Sequence, residues 1–354
     1  MLYQPVRVPM NSNQITQRTL RRKSVMREGI TFLLSFAGVF ATSMACAQVT
    51  FLGDWTDFGS QFKVGASSTT YLDGQPVAWS AGYGAHHWRV VMEKAIDRLT
   101  VAQDPTSPQG GAVLQVQVLP GDSTGFTGER AEVISMNDPT GTTYPVTVNT
   151  PHEVYGISIK LDPHWQPPLH DATHSNTWGL FMQLHSPNEF ESPPAFAFAA
   201  DTSFHIDTLG GNLIDANGRR KNGNSVPLSN GDLRAGHWVQ FIIDAVWAYD
   251  SSGSLTIYRK DEGDTAFTKV LTLSGQPTLQ YDSQFSNSQN VDPSNGSTYL
   301  HYWRAGYYRS DSPGVTTRLS LGPIVRGTTI QEVEAAAFRP SLIPMAPIGV
   351  TLEN

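Results

Sequence analysis

The pattern that most limits this chain is a succession of short alternating runs, each closed by glycine, proline, asparagine or aspartate. "AVLQVQVLPGD", "HEVYGISIKLDP", "TWGLFMQLHS", "PAFAFAADTSFHIDT", "HWVQFIIDAVWAYD", "GSLTIYRKDEG" and "TTRLSLGPIVRG" follow one another beyond Phe51. Strand side chains alternate between two faces, so such runs build antiparallel sheets with one face buried. Turn signals this frequent predict an all-β sandwich of two antiparallel sheets. The 31 glycines and 23 prolines among 354 residues fit that reading. "WAYDSSGSLTIYRKDEGD" predicts a hairpin around Ser252-Gly253. "IQEVEAAAF" predicts one short helix, and Asp282 to Ser297 form a long polar loop. No repeat or linker divides the chain, so one large sandwich domain is expected.

The first residues read differently. A basic "RRKSVMREG" precedes the apolar "ITFLLSFAGVFATSMA", and small residues end at Ala47. This predicts a secretory signal peptide and N-terminal extension over residues 1–47, cut after Ala47, with the folded domain at 48–354. Translation from Met26 would still leave a complete signal. A retained membrane anchor is the alternative, but the apolar run is short for a span. Cys46 is the single cysteine, so the mature domain has neither disulfides nor thiol chemistry. As a lipidation site it lacks the usual leucine three positions earlier. A secreted or periplasmic protein, stabilised by its core alone, is expected.

Charge narrows the partners. Residues 1–47 hold six of the 24 Lys and Arg and one of the 31 Asp and Glu. The remainder keeps 18 basic and 30 acidic residues, a net of −12. That sign argues against nucleic acid, and an anionic ligand must be met by a few local cations. No membrane contact is expected after signal cleavage, and the domain is expected to be monomeric.

Those cations emerge when the strands are read by face. In "YWRAGYY", Trp303, Ala305 and Tyr307 suit a core, while Tyr302, Arg304, Gly306 and Tyr308 lie opposite. In "WGLFMQLHS", alternation sets Trp178, Leu180, Met182 and Leu184 against Gly179, Phe181, Gln183 and His185. In "GERAEVIS", Ala131 and Val133 face inward, and Arg130 and Glu132 outward. Each polar pair alone fits a solvated or structural role; the three together suggest a ligand face. Gly306 leaves room for something to approach the backbone.

These three strands resemble the motifs of jelly-roll polysaccharide lyases, a family that includes alginate lyases, glucuronan lyases and heparin lyase I. Those enzymes carry an Arg-x-Glu strand, a Gln-x-His strand and a late Tyr-x-Lys-x-Gly-x-Tyr strand. Here they read "RAE" (130–132), "QLH" (183–185) and "YWRAGYY" (302–308). The resemblance implies a β-jelly roll, a concanavalin A-like sandwich, and β-elimination on a uronate polysaccharide. It implies that Arg130 and Gln183 bind the uronate carboxylate and that Tyr308 protonates the leaving oxygen. Tyr308 or His185 would be the base, with a nearby cation such as Arg304 helping to lower a tyrosine pKa. Glu132, Tyr302 and Arg304 would contact substrate. Two positions depart from the family: Arg304 replaces the usual lysine, and Ile134 stands where alginate lyases tend to have a second arginine. A glucuronan-like substrate is therefore expected before alginate or heparin-type polymers. Some relatives carry a structural calcium, but no ligand set for it is readable here and "LSLGPIV" lacks an acid. No metal or other cofactor is expected.

Two other classes remain open on sequence. A jelly-roll glycoside hydrolase needs two carboxyls about 5–5.5 Å apart, and Glu129 and Glu132 fall on opposite faces of a regular strand. A non-catalytic sugar-binding protein would use tryptophan stacking, and the chain has eight tryptophans. "GRRKNGN", with Arg219 to Lys221, is a basic loop that either grips a polyanion or is merely solvated. His86-His87 and His170/His174 lack metal-ligand spacing.

Overall fold

The alternating runs become strands in the computed structural model. It describes residues 98–122, 128–135, 152–169, 177–186, 193–284 and 301–338, and the shorter pieces 50–53, 55, 79–81, 87–92 and 146. All of these belong to one unit, Cys46–Asn354. The expected leader and most of the polar loop at 282–297 lie outside the described residues.

The strands run in chain order as follows. The first seven are β1 (Thr50–Gly53), β2 (Trp79–Ala81), β3 (His87–Met92), β4 (Leu99–Gln103), β5 (Ala112–Val118), β6 (Glu129–Ser135) and β7 (His152–Leu161). Next come β8 (Gly179–His185), β9 (Phe196–Ala200), β10 (Phe204–Thr208), β11 (Gly211–Asn212), β12 (Asn224–Pro227) and β13 (Trp238–Val246). The last are β14 (Ser254–Asp261), β15 (Thr268–Ser274), β16 (Gln280–Tyr281), β17 (Tyr302–Arg309), β18 (Thr317–Leu321) and β19 (Ile324–Gly327). One helix, α1 (Ile330–Ala337), follows where "IQEVEAAAF" predicts it. Thr329 caps it by accepting from the Glu332 amide. The expected hairpin is β13–β14, with the Gly253 amide bonded back to Asp250.

Two large antiparallel sheets result. The back sheet is ordered β15-β14-β13-β7-β18-β5-β4, with β19 pairing β7 and β1 pairing β19. The front sheet is ordered β12-β10-β9-β8-β17-β6-β3-β2. Between them lies the core. Phe241 of the back sheet packs on Phe198 (4.7 Å) and Phe204 (5.2 Å) of the front sheet. Trp303 of β17 meets Tyr155 of β7 at 5.0 Å. Burying each such ring contributes about 1.5–3 kcal/mol. This is the all-β sandwich that the alternation predicts, and the jelly roll that the resemblance to polysaccharide lyases implies.

Several polar groups inside this core are paired. Tyr155 and the Trp247 indole N–H both donate to Glu153, which also holds the Arg326 guanidinium. Burial and the Glu153 carboxylate push the Tyr155 hydroxyl well above the usual phenol range. Arg309 is fully buried and donates to Glu129 (2.8 Å) and to the Val315 carbonyl (2.6 Å).

β13 is apolar on both faces because both are covered. Phe241 and Ile243 enter the core, while Ile242 lies with Val154 and Val325 under Val333, Ala337 and Phe338 of the helix end. Gly156 of β7 makes that close docking possible. A β-carbon there would lie 2.7 Å from Val333 Cγ1 and 2.9 Å from Ala337 Cβ. Gly156→Ala should therefore lift α1 and cost about 1–3 kcal/mol, although alanine is ordinarily favoured over glycine inside a strand. Thermal unfolding checks this: a Tm equal to or above that of the parent chain would mean that the helix does not rest on Gly156.

Candidate active site

β17 lies between β6 and β8, so the three strands that carry the polar pairs are direct neighbours. On β17 the alternation holds. Trp303, Ala305 and Tyr307 are buried in the core, and Tyr302, Arg304, Gly306 and Tyr308 lie on the opposite face. On β6, Ala131 and Val133 enter the core, leaving Arg130 and Glu132 opposite.

On β8 the simple alternation fails. Its register against β9 shifts between Leu180 and Met182, and that of β17 against β8 shifts between Ala305 and Tyr308. A bulge sets two consecutive side chains on one face. Phe181 and Met182 thus both enter the core, and Leu180 joins Ala197, Ala199 and Trp178 on the other face. The expected partition of Leu180 and Phe181 is reversed, whereas Gln183 and His185 keep the predicted face. Trp178 is also moved to the site, where its ring meets Tyr308 at 4.5 Å.

The register then fixes neighbours. Tyr308 pairs with Arg130, Gly306 with Glu132, Arg304 with Gln183, and Tyr302 with His185. The Gln183 amide donates to Glu132 Oε1 from the far side of β17. Glu132 Oε2 lies 3.9 Å from Arg130 Nη1. Gln183 and Glu132 are each 1% exposed. Their bond crosses β17, where Gly306 is the residue paired with Glu132. Gly306 has φ +143°, and a β-carbon there would run into the Ala131 carbonyl. Only glycine suits that backbone.

Two clusters flank this bridge. At one end the Arg130 guanidinium stands 5.0 Å from the Tyr308 ring centre. At the other, Arg304 Nη2 donates to the Tyr302 hydroxyl (2.7 Å), and the Tyr302 ring stacks on His185 at 5.7 Å. The expectation that Arg304 is the cation beside Tyr308 is thus corrected. Tyr308 faces Arg130 across the strands, and Arg304 lies four residues further along β17.

His185 is partly buried, and its Nδ1 lies 2.6 Å from the Ser186 carbonyl. A carbonyl only accepts, so Nδ1 carries the hydrogen and Nε2 the lone pair. Burial first, then the Arg304 charge, lower its pKa from 6.5 to about 3, against the raising effect of the Ser186 bond. Tyr307, one residue from Tyr308, is fully buried and donates to the Ala200 carbonyl (2.7 Å). Burial raises its hydroxyl well above the usual range.

Other candidates lie apart from this cluster. Arg219 to Lys221 are exposed, and Arg220 lies 3.3 Å from Asp282. His86, His170 and His174 fall outside the described residues, as does the His87 side chain. Among the described residues no three His, Cys, Asp or Glu side chains are grouped to hold a metal ion. Sequence reasoning missed Arg309, an arginine at a core parity of β17 that requires a carboxylate. Glu129 answers it and is thereby held on the core side, away from Glu132. A depression of about 300 Å³ on the back sheet, near Arg98, Lys160 and Arg318, is the other candidate cleft. Two of its cations are already paired, Arg98 with Asp122 (2.6 Å) and Lys160 with Asp104 (2.5 Å).

Comparison with known proteins follows the same lines. Among solved structures, the chain resembles an endo-β-1,4-glucuronan lyase from the fungus Trichoderma reesei at 16% identity, covering 66% of this chain and 88% of that one, with a TM-score of 0.47. It also resembles the marine PL-14 alginate lyase from Aplysia kurodai at 10% identity, covering 76% and 98%, with a TM-score of 0.45. An alginate lyase from Corynebacterium sp. is similar at 13% identity, covering 76% and 95%, with a TM-score of 0.37. No curated protein sequence matches. A family model described as polysaccharide lyase matches residues 79–321, well over half of the chain and inclusive of all three site strands. The chain belongs to the polysaccharide lyase family.

Proposed function

We propose that this lyase is secreted and cleaves a non-sulfated uronate polysaccharide by β-elimination, a glucuronan-like polymer before alginate. The observation that carries the proposal is the Gln183–Glu132 bridge with an arginine–tyrosine pair at each end and a neutral histidine beside one of them. Arg130 and the remaining Gln183 N–H neutralise the uronate carboxylate, so that charge arriving from C5 spreads into it. Glu132 accepts from the Gln183 amide and holds it in place, which makes it a positioning residue. His185 Nε2 takes the C5 proton. The electron pair forms the C4–C5 double bond, the C4–O bond breaks, and Tyr308 protonates the oxygen that stays on the neighbouring sugar. A carboxylate bound near Arg130 and Arg304 would offset the cations that depress His185, making it a stronger base when substrate is present.

Hydrolysis by two carboxyls has less support, because Glu129 is tied to Arg309 and Glu132 to Gln183. Ile134 occupies the register position opposite Arg304, which favours glucuronan over alginate. The net charge of −12 beyond residue 47 argues against densely sulfated polymers. Export is supported by the apolar segment ending at Ala47.

A panel of glucuronan, alginate and heparin-type polymers, followed by ultraviolet absorbance, tests the reaction. Unsaturated ends are expected first on glucuronan; new reducing ends without absorbance would favour hydrolysis instead.

Adjacent tyrosines should separate sharply. Tyr308→Phe should cut turnover by about 10²–10⁴-fold with Tm little changed. Tyr307→Phe should keep most activity and lose one buried hydrogen bond, costing about 1 kcal/mol. The reverse result in steady-state kinetics would reassign the proton transfer.

The His185 ring should not titrate between pH 5 and 8 in the free protein, because its pKa is lowered to about 3. NMR titration, with His185→Gln to assign the signal, checks this, and a midpoint near 6.5 would refute it. The unfolded chain takes up this proton below pH 6.5 while the folded chain refuses it. The contribution of His185 to stability is therefore complete above 6.5 and lost as pH falls toward 3.

A further inference from the structure

The row that contains Arg304 and Gln183 does not stop at β8. Gln183 pairs with Ala197 of β9, Ala197 with Asp207 of β10, and Asp207 with Ser225 of β12. Residues directly opposed across antiparallel strands share a face. The catalytic face therefore extends from Arg304 through Gln183 and the low methyl of Ala197 to a carboxylate and a hydroxyl near the edge of the sheet. Gln183 and Asp207 are two strand spacings apart, about 10 Å, the scale of a disaccharide. Next to this row, His205 pairs with Ala199, which in turn pairs with Leu180. The strip between the two polar groups is apolar, made of Leu180, Ala197 and Ala199 with Trp178 packed against them.

The far polar group has its own chemistry. His205 Nε2 lies 3.5 Å from Asp207, and its Nδ1 lies 3.7 Å from Asp201. One imidazole thus faces two carboxyls and leaves the group acidic even when the ring is protonated. Asp207 keeps a third of its side chain open, unlike the 1% exposed Gln183. Burial raises its pKa, while His205 and a Ser225 hydrogen bond work in the other direction. Arg130 and Arg304 lie at the other end, on β6 and β17.

We infer that Asp207 and Ser225 form a specificity subsite that accepts sugar hydroxyls about a disaccharide away from the cleaved bond, and that the Asp207 charge turns a sulfate away from that position. This rests on the lyase reading of the same face. A polymer crosses the strands of the front sheet. Its cleaved unit places a carboxylate at Arg130 and Gln183, and the unit over Asp207 presents hydroxyl donors. Polymers with a sulfate fixed on that side are disfavoured. The enzyme thereby discriminates by repulsion as well as by attraction.

The test compares the full chain with Asp207→Ala and Asp207→Asn on glucuronan and on its oligomers of increasing length. Removing a carboxylate acceptor should raise KM for the polymer roughly tenfold or more, with kcat within about twofold, because the contact is made equally in the ground and transition states. The shortest cleaved oligomers, which do not reach Asp207, should show no change in KM. Asp207→Asn, which keeps an acceptor and removes the charge, should raise the relative kcat/KM on polymers that carry sulfates. An unchanged polymer KM in Asp207→Ala, or an equal rise on the shortest oligomers, overturns the subsite. Calorimetric binding of the intact polymer serves as a readout that needs no cleavage. If the parent chain forms no unsaturated product but Asp207→Ala still weakens binding, the lyase reading fails and the subsite stands; if binding is also unchanged, both fail.

Discussion

The hydrogen bond from Gln183 to Glu132 joins two strands that do not touch, across β17, which lies between them and pairs Gly306 with Glu132. Much of the site follows from that crossing. It holds the Gln183 amide in one orientation, with its nitrogen toward Glu132. It buries the Glu132 carboxylate, which needs a cation nearby, and Arg130 supplies one at 3.9 Å. A buried charge without such a partner is strongly destabilising. The same bridge separates Arg130 with Tyr308 from Arg304 with Tyr302 and His185. One arginine therefore serves each tyrosine, instead of both serving one.

The other side of β17 keeps this arrangement rigid. Trp303 packs edge-on to Tyr155, whose hydroxyl is held by Glu153 together with Arg326 and the Trp247 indole. The Tyr307 hydroxyl is tied to Ala200, and a β-carbon at Gly179 would strike it. Donors that stabilise developing charge work best when they need no reorganisation. Here β17, the strand between the two proposed donors Arg130 and Gln183, is fixed by rings on its reverse face and by the buried Arg309–Glu129 pair at its end.

Alternation alone was enough to assign the faces of β6 and β17, because these two strands pair regularly with each other and the shift of β17 against β8 leaves its side chains alternating. It was also enough for Gln183 and His185, which follow the irregular point of β8. It misplaced Leu180 and Phe181, since a bulge is set by pairing with strands remote in sequence and leaves no mark in local composition. Trp178 was hidden for the same reason. The neighbour of Tyr308 depended on register, and four residues along a strand is too far for Arg304 to serve. Arg309 was legible in principle: a charged residue at a core position demands a partner, and Glu129 stood one residue before the Arg-x-Glu motif. Asp207 was beyond reach, because nothing in "FHIDT" tells which strands separate it from Gln183.

Strand order has a consequence in time. β6 and β8 lie in the first two-thirds of the chain, yet they are not neighbours; the strand that fills the slot between them ends at Arg309. Synthesis delivers the N-terminal part first, and pairings this remote must wait for long loops to close. A ribosome-bound chain can hold Arg130, Glu132, Gln183 and His185 and still have no bridge, no tyrosine and no second arginine. Catalytic competence in this architecture thus arrives late and all at once, with a single strand as its keystone.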